Sequence, residues 1–260
     1  MRLITLVFWV LFLAIPLVAQ TAVGSWTLGP NWTYNRNINN QELARIAMQG
    51  EINKRLLNSS KPAGKNMKRV QASGPTSFRQ SENLMPGQIA DKIKGTAAEK
   101  EALKLALGNS IRFYENIALA KGYPSNDLSF AMLYFVINNY VIYRNIDPAA
   151  TDVGGKTQYL VGGFYSPIYS HEKAVFSQLR SQLQRSSELK SMKDEDKQKK
   201  TELLAIYTTL MWHRFQELAR LRDMTGLGAI RDLAESNVEG FVGAEIEKIG
   251  IGKKGIVIRK

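Results

Sequence analysis

The stretch LSFAMLYFVINNYVIY, residues 128–143, restricts the fold more than any other part of this 260-residue chain. Its only strongly polar members are Ser129, Asn138 and Asn139, so a helix here has no face that prefers water. Such a helix is enclosed by other helices or crosses a membrane. Crossing takes roughly 20 apolar residues and tolerates adjacent asparagines poorly, whereas this run has 16 residues. It therefore predicts the central helix of an all-α bundle. Asn138 and Asn139 point about 100° apart on a helix, so at least one is expected to face packed neighbours and to need hydrogen-bond partners. Both are candidate ligand-binding residues. The plainer alternative is that backbone carbonyls or tyrosine hydroxyls satisfy them.

The flanking sequence supplies the surrounding helices. After Pro86 a short element is expected over residues 88–94, stopped by Gly95. Thr96-Ala97-Ala98-Glu99 has the form of a capping box, in which threonine and glutamate satisfy each other's backbone N–H groups. Leu103, Leu107, Ile111, Tyr114 and Ala118 follow as one apolar stripe, and Gly122 with Pro124 ends that helix. Ser170 is a candidate cap for a helix carrying Val175, Phe176, Leu179 and Leu183, and residues 186–193 read as a break. Asp194, Glu195 and Asp196 suit the positive end of the next helix, whose buried face is traced by Leu204, Tyr207, Met211, Phe215 and Leu218 to about Met224. A last helix over residues 228–242 buries Ile230, Leu233, Ala234 and Phe241. The fold class is thus a helical bundle of about five main helices with irregular basic arms. Within the long connection at 149–169, TQYLV and FYSPIY flank Gly162-Gly163 as candidates for a small hairpin, limited by Pro167.

The chain begins MRLITLVFWVLFLAIPLVA, a basic start, an apolar run and a small residue at Ala19. This is the pattern of a secretory signal cut after Ala19, the alternative being a retained anchor. Removing residues 1–19 leaves 34 basic and 23 acidic residues, a net charge of +11. There is no cysteine, which excludes disulfides, thiolate metal sites and a cysteine nucleophile. Export without cysteine points to a bacterial periplasmic or secreted protein. No membrane-spanning segment is expected after signal cleavage.

The expected organisation is a signal at 1–19, then a lead, one helix and a basic linker at 20–82, a bundle domain at 83–243 and a basic tail at 244–260. The linker holds Lys54, Arg55, Lys61, Lys65, Lys68, Arg69 and Arg79 with no acidic residue between them, and the tail adds Lys253 and Lys254. These are the candidate contacts to anionic surfaces. In an envelope the partners would be acidic polymer, lipid or another envelope protein, and no nucleic acid is expected. The Ile256-Val257-Ile258 run could pair as a strand, but the ending is expected to trail from the bundle.

Catalytic signals are weak. Two histidines, His171 and His213, make no multi-histidine metal site, and no HExxH occurs. His213 lies about 200° around its helix from Met211 and is expected to face solvent, with Glu217 one turn on. Residues 150–157, ATDVGGKT, nearly match a phosphate-binding loop. They lack its first glycine and its strand-to-helix setting, so no nucleotide cofactor is expected. A calcium loop starting at Asp194 fails because Lys199 and Ala205 stand where glycine and glutamate are needed. Ser170-x-x-Lys173 and Ser187-x-x-Lys190 fit the SxxK of penicillin-binding enzymes without its SDN or KTG companions.

The segments DLSFAMLYFVINNYVIY, VFSQLRSQLQ, DEDKQKKTELLAIYTTL and GAIRDLAESNVEGFVG, together with the helix start Lys197-Gln198-x-x-x-Glu202, resemble an uncharacterised bacterial family of exported helical proteins, a domain of unknown function. The resemblance covers roughly residues 83–243. It implies an α-helical fold and export, and assigns neither an activity nor site residues. The expected function is a non-enzymatic binding or structural module of the cell envelope, without metal or cofactor. The alternative is a wall-active hydrolase or transferase with a site near 149–173.

Overall fold

The computed structural model describes residues 73–149, 158–161 and 166–259. The candidate signal, the aromatic lead, the expected helix at 41–57, most of the basic linker and the ATDVGGKT stretch lie outside the described residues. Within them the chain order is α1 (Met85–Lys92), α2 (Ala97–Lys121), α3 (Leu128–Asn145), β1 (Ile146–Ala149), β2 (Gln158–Val161), a 3-10 turn (Ser166–His171), α4 (Glu172–Arg185), α5 (Ser187–Ser191), α6 (Asp194–Leu221), α7 (Met224–Val242), a 3-10 turn (Ile246–Lys248), β3 (Ile249–Gly252) and β4 (Gly255–Ile258). The five long helices α2, α3, α4, α6 and α7 form the expected bundle, and α1 and α5 are short.

α3 lies at its centre. All of its residues except Asn138 and Arg144 are buried, because α4, α6 and α7 pack directly against it. α2 packs on α6 and α1 instead. Between α2 and α3 stand aromatic rings: Tyr114 meets Phe130 at 5.3 Å and Tyr134 at 5.4 Å between centroids. Rings of this size hold two helices apart more than aliphatic side chains would. That separation positions the cleft described below.

The capping box forms as expected. The Glu99 N–H donates to Thr96 Oγ1 at 3.3 Å, the Thr96 N–H donates to Glu99 Oε2 at 2.8 Å, and Gly122 ends α2 with φ 73°. Other boundaries differ. α1 starts at Met85, three residues before the expected start, since Pro86 in the first turn needs no N–H partner. α7 starts at Met224 because Asp223 accepts from the Gly226 N–H, so Gly226 lies inside a first turn and is not a break. Ser170 is not a cap: it lies in the 3-10 turn, and α4 follows His171 without a side-chain cap bond. Residues 186–193 contain α5, capped by Ser186 Oγ accepting from Leu189 N–H.

Both β pairs also correct expectations. Residues 158–161 pair antiparallel with residues 146–149, Asp147 opposite Leu160, and not with FYSPIY, whose latter half is helical. Pro167 lacks the N–H a ladder requires. The ending does not trail from the bundle. β3 and β4 form a hairpin, Ile251 opposite Ile256, that buries Ile246, Ile249 and Ile256. A lone two-stranded hairpin is marginal in water, and here side chains hold it. Gln178 of α4 accepts from the Ile256 N–H at 2.7 Å and donates to its carbonyl at 2.9 Å. Tyr140 of α3 donates to the Ile249 carbonyl at 3.1 Å. At Gly255 the backbone has φ 88°, and a Cβ there would overlap Gln178 Oε1.

The end of the expected linker is docked as well. Thr76 and Phe78 are buried, and Thr76 Oγ1 donates to the buried Asp127 carboxylate at 2.9 Å. Farther on, Ser81 donates from both its N–H and its hydroxyl to Gln198 Oε1, and the Leu84 and Met85 N–H groups both donate to Glu202 Oε2 at 2.8 Å. The Lys-Gln-x-x-x-Glu start of α6 is therefore a clasp for residues 77–85.

Candidate functional site

On the outer side of the ring-spaced α2–α3 seam lies a cleft of about 420 Å³, within the range of small-molecule pockets, about 300–1,000 Å³. Each helix contributes one stripe. α2 gives Phe113, Ile117 and Lys121 at intervals of four, and α3 gives Phe130, Leu133, Tyr134, Ile137 and Asn138. Trp212 of α6, Tyr169 of the 3-10 turn and Glu172 of α4 complete the lining. The α2 stripe lies beside its core stripe, so a single helix serves both the bundle interior and the cleft.

One end of the cleft is charged. Lys121 Nζ donates to Glu172 Oε1 and stands 4.6 Å from the centre of the Tyr169 ring. The ammonium is thus held by a carboxylate and by the negative face of an aromatic ring. Glu172 is the first residue of α4, where the helix dipole is positive. Lys121 in turn is the last residue of α2, at that helix's negative end, so the ion pair and the two helix ends balance, and the more exposed member of the pair is the cation: the Lys121 side chain is 35% exposed and that of Glu172 11%. Burial, with the Glu172 charge, pushes the Tyr169 hydroxyl up to about 12, so at neutral pH it keeps its proton as a donor. Burial raises Tyr123 as well, helped by Glu172, and its ring stacks on Phe130 at 4.9 Å. Deeper in the cleft, Tyr134 shares a 3.1 Å hydrogen bond with Thr209 Oγ1.

The two candidate asparagines part as their helical angle predicts. Asn138 lines the cleft, with Nδ2 donating to the Tyr134 carbonyl at 2.6 Å. Asn139 faces the interior, where its Nδ2 donates to the Phe135 carbonyl and its Oδ1 accepts from Asn237 Nδ2, both at 2.8 Å. Asn237 also donates to the Tyr207 hydroxyl at 2.7 Å. Asn139 therefore belongs to an interior network joining α3, α6 and α7. Lys253 and Lys254 are exposed at the β3–β4 turn. Arg79 is exposed too, its backbone N–H donating to Asp194 Oδ2 at 3.0 Å. Lys54, Arg55, Lys61, Lys65, Lys68 and Arg69 lie outside the described residues.

His213 does not face solvent. It is buried, with Phe113 5.1 Å away edge to face, because α6 is enclosed by α2, α3 and α7 and has few open sides. Glu217 pairs with Arg214 at 2.9 Å. Ser170 and Lys173 are exposed, and neither lines the cleft. Sequence reasoning did not single out Lys121, Tyr169, Glu172 or Trp212. The visible signal was the second stripe Phe113, Ile117, Lys121, one position off the core stripe of the same helix.

A second cluster joins α7 to the hairpin. Carboxylates of Glu235, Glu239 and Glu247 lie within 4.8 Å of one another. Each has a protein partner: Glu235 pairs with Arg231 at 3.6 Å, Glu239 accepts from the Ile246 N–H, and Glu247 accepts from the Tyr143 hydroxyl. Arg231 also lies 4.2 Å over the Tyr143 ring. Burial and the neighbouring carboxylates hold Glu235 above its usual range against the pull of Arg231. These contacts tie the last helix to the chain that follows it.

Among the described residues no helix is long and apolar enough to cross a membrane. No curated protein and no solved structure matches the chain. A family model matches residues 2–259, well beyond the bundle to which the sequence resemblance was confined, and takes in both basic segments. With a match over nearly its whole length, the chain belongs to the family of unknown function DUF6683.

Proposed function

We propose that this protein is a non-enzymatic binding module of the bacterial cell envelope, exported behind residues 1–19, that takes an apolar ligand in the α2–α3 cleft and is drawn by its basic segments to anionic surfaces. The observation that carries the reading is the cleft itself: large enough for a small molecule, lined mostly by apolar side chains, with its polar groups gathered at few points. The hydrolase alternative placed its site near 149–173, and Tyr169 and Glu172 of that segment do edge the cleft, but the SxxK serine and lysine at 170 and 173 stand outside its lining. Cleft binding is tested with 1-decanol as probe in calorimetric titrations of the purified protein. Decanol is expected to bind, and Leu133→Trp, which fills the cleft, is expected to abolish binding with the helical circular dichroism kept. Equal binding by both proteins would overturn the reading.

The surface attraction rests on the net charge of +11 that remains without residues 1–19, 34 basic against 23 acidic residues, and on exposed Lys253, Lys254 and Arg79. Adsorption to vesicles containing anionic phosphatidylglycerol is expected to fall by at least about tenfold between low salt and 0.5 M salt, where the screening length is only a few ångströms. Adsorption indifferent to salt would remove the electrostatic part.

A further inference from the structure

We infer that the ligand of the cleft is a single-chain amphiphile with a carboxylate head, a fatty acid, whose head lies at Lys121 and whose chain runs between α2 and α3 toward Trp212. The inference rests on the cleft-binding reading and adds the ligand's chemical class. Three observations support it. The lining is apolar over the α2 and α3 stripes, so it accepts hydrocarbon but offers few partners to a polar body such as a sugar or a peptide. The charge is confined to one end, so a ligand that matches the cleft is polar at one end only. The group presented at that end is the cation, because the Lys121 side chain is 35% exposed and that of its partner Glu172 only 11%.

Lys121 has three N–H donors. One reaches Glu172, and the ammonium rests on the Tyr169 ring. Donors remain for a second carboxylate beside the first, and Tyr169 lines the same cleft. The Lys121 side chain is about one third exposed and lines the cleft, so a ligand there can approach it without breaking its present pair. A neutral alcohol of the same length would gain the apolar contacts and lose the charge-assisted bond. A cationic amphiphile would meet a like charge.

The test compares decanoate, 1-decanol and decyltrimethylammonium by calorimetry at neutral pH and one fixed low ionic strength, using the purified protein. Decanoate is expected to bind at least about tenfold more tightly than decanol, the value of one charge-assisted hydrogen bond, and decyltrimethylammonium more weakly than either. Lys121→Met, and Lys121→Met combined with Glu172→Gln so that no carboxylate is left unpaired, are expected to erase the preference while decanol still binds. Lys121→Arg keeps the charge and is expected to keep the preference. Decanol binding as tightly as decanoate, or a preference that survives in the double variant, would overturn the carboxylate assignment while leaving the cleft reading intact. Failure of all three probes to bind would overturn both.

Discussion

Replacing Glu202 by alanine is expected to destabilise the protein by about 3 kcal/mol, read from urea or thermal unfolding followed by circular dichroism. Leu84 and Met85 supply the first free N–H groups of α1, a helix whose N-terminal residue makes no side-chain cap bond of its own. Glu202 Oε2 accepts both, and Oε1 accepts from Gln198 Nε2 at 2.7 Å. Glu202 is thus the cap of a helix more than a hundred positions earlier in the chain. Alanine would leave those donors unpaired in a half-buried setting, each at a cost of about 1–3 kcal/mol, partly relieved as water enters. For a protein of this size the shift is about 6–12 °C in Tm. Glutamine keeps one oxygen for the two backbone N–H groups, as Oε2 serves both now, but sets its own amide donors against the Gln198 donor that Oε1 accepts, so Glu202→Gln recovers only part of the loss. Burial raises the Glu202 carboxyl above its ordinary value, although the donors from Met85, Gln198 and Leu84 pull it down. A loss below about 1 kcal/mol for the alanine variant would show that residues 77–85 are held by other contacts.

Phe135→Ala is expected to cost still more, about 3–5 kcal/mol. Phe135 is almost wholly buried in α3, with Tyr207 of α6 at 6.0 Å and Phe241 of α7 at 5.9 Å between ring centroids. Its removal opens a void where three helices meet, next to the carbonyl that holds Asn139. The void cannot close without moving the Asn139–Asn237–Tyr207 network, so relaxation is limited and the cavity term stays large. Leu105→Ala is the matched control. Leu105 is 57% exposed on α2, and its truncation is expected to fall within about 0.5 kcal/mol. Similar effects for the two variants would mean that the three-helix junction is not a rigid part of the bundle.

Much of the bundle was legible because its helices follow simple rules. The all-round apolarity of residues 128–143 made α3 central, Thr96 and Glu99 set the start of α2, and Gly122 set its end. The failures have two causes, a local cap that was passed over and contacts from distant parts of the chain. Gly226 reads as a stop until Asp223 is seen to cap the same turn, and His213 reads as solvated until a third helix covers that side of α6. The terminal hairpin contains glycines and lysines that suit a tail, and only the approach of Gln178 and Tyr140 gives its backbone partners. The last two depend on residues distant in the chain, whereas Asp223 is only three positions from Gly226. The cleft was half legible. Asn138 was visible as a polar residue on an apolar helix, but Lys121 and Glu172 are 51 positions apart. Nothing local marks either as half of a pair. The clasp at Gln198 and Glu202 was visible as a pattern, with its purpose hidden until residues 77–85 were seen lying over it.

Gln178 stands where a third strand would run. A primary amide offers one donor and one acceptor about as far apart as a peptide group does, and Gln178 uses both on Ile256. An unfolded segment or a second copy approaching β4 at this position finds the donor and acceptor already taken. The hairpin therefore leaves Lys253 and Lys254 exposed at its turn while denying a foothold to strand-by-strand growth. Loss of that one side chain would leave the Ile256 N–H and carbonyl open at the edge of the hairpin.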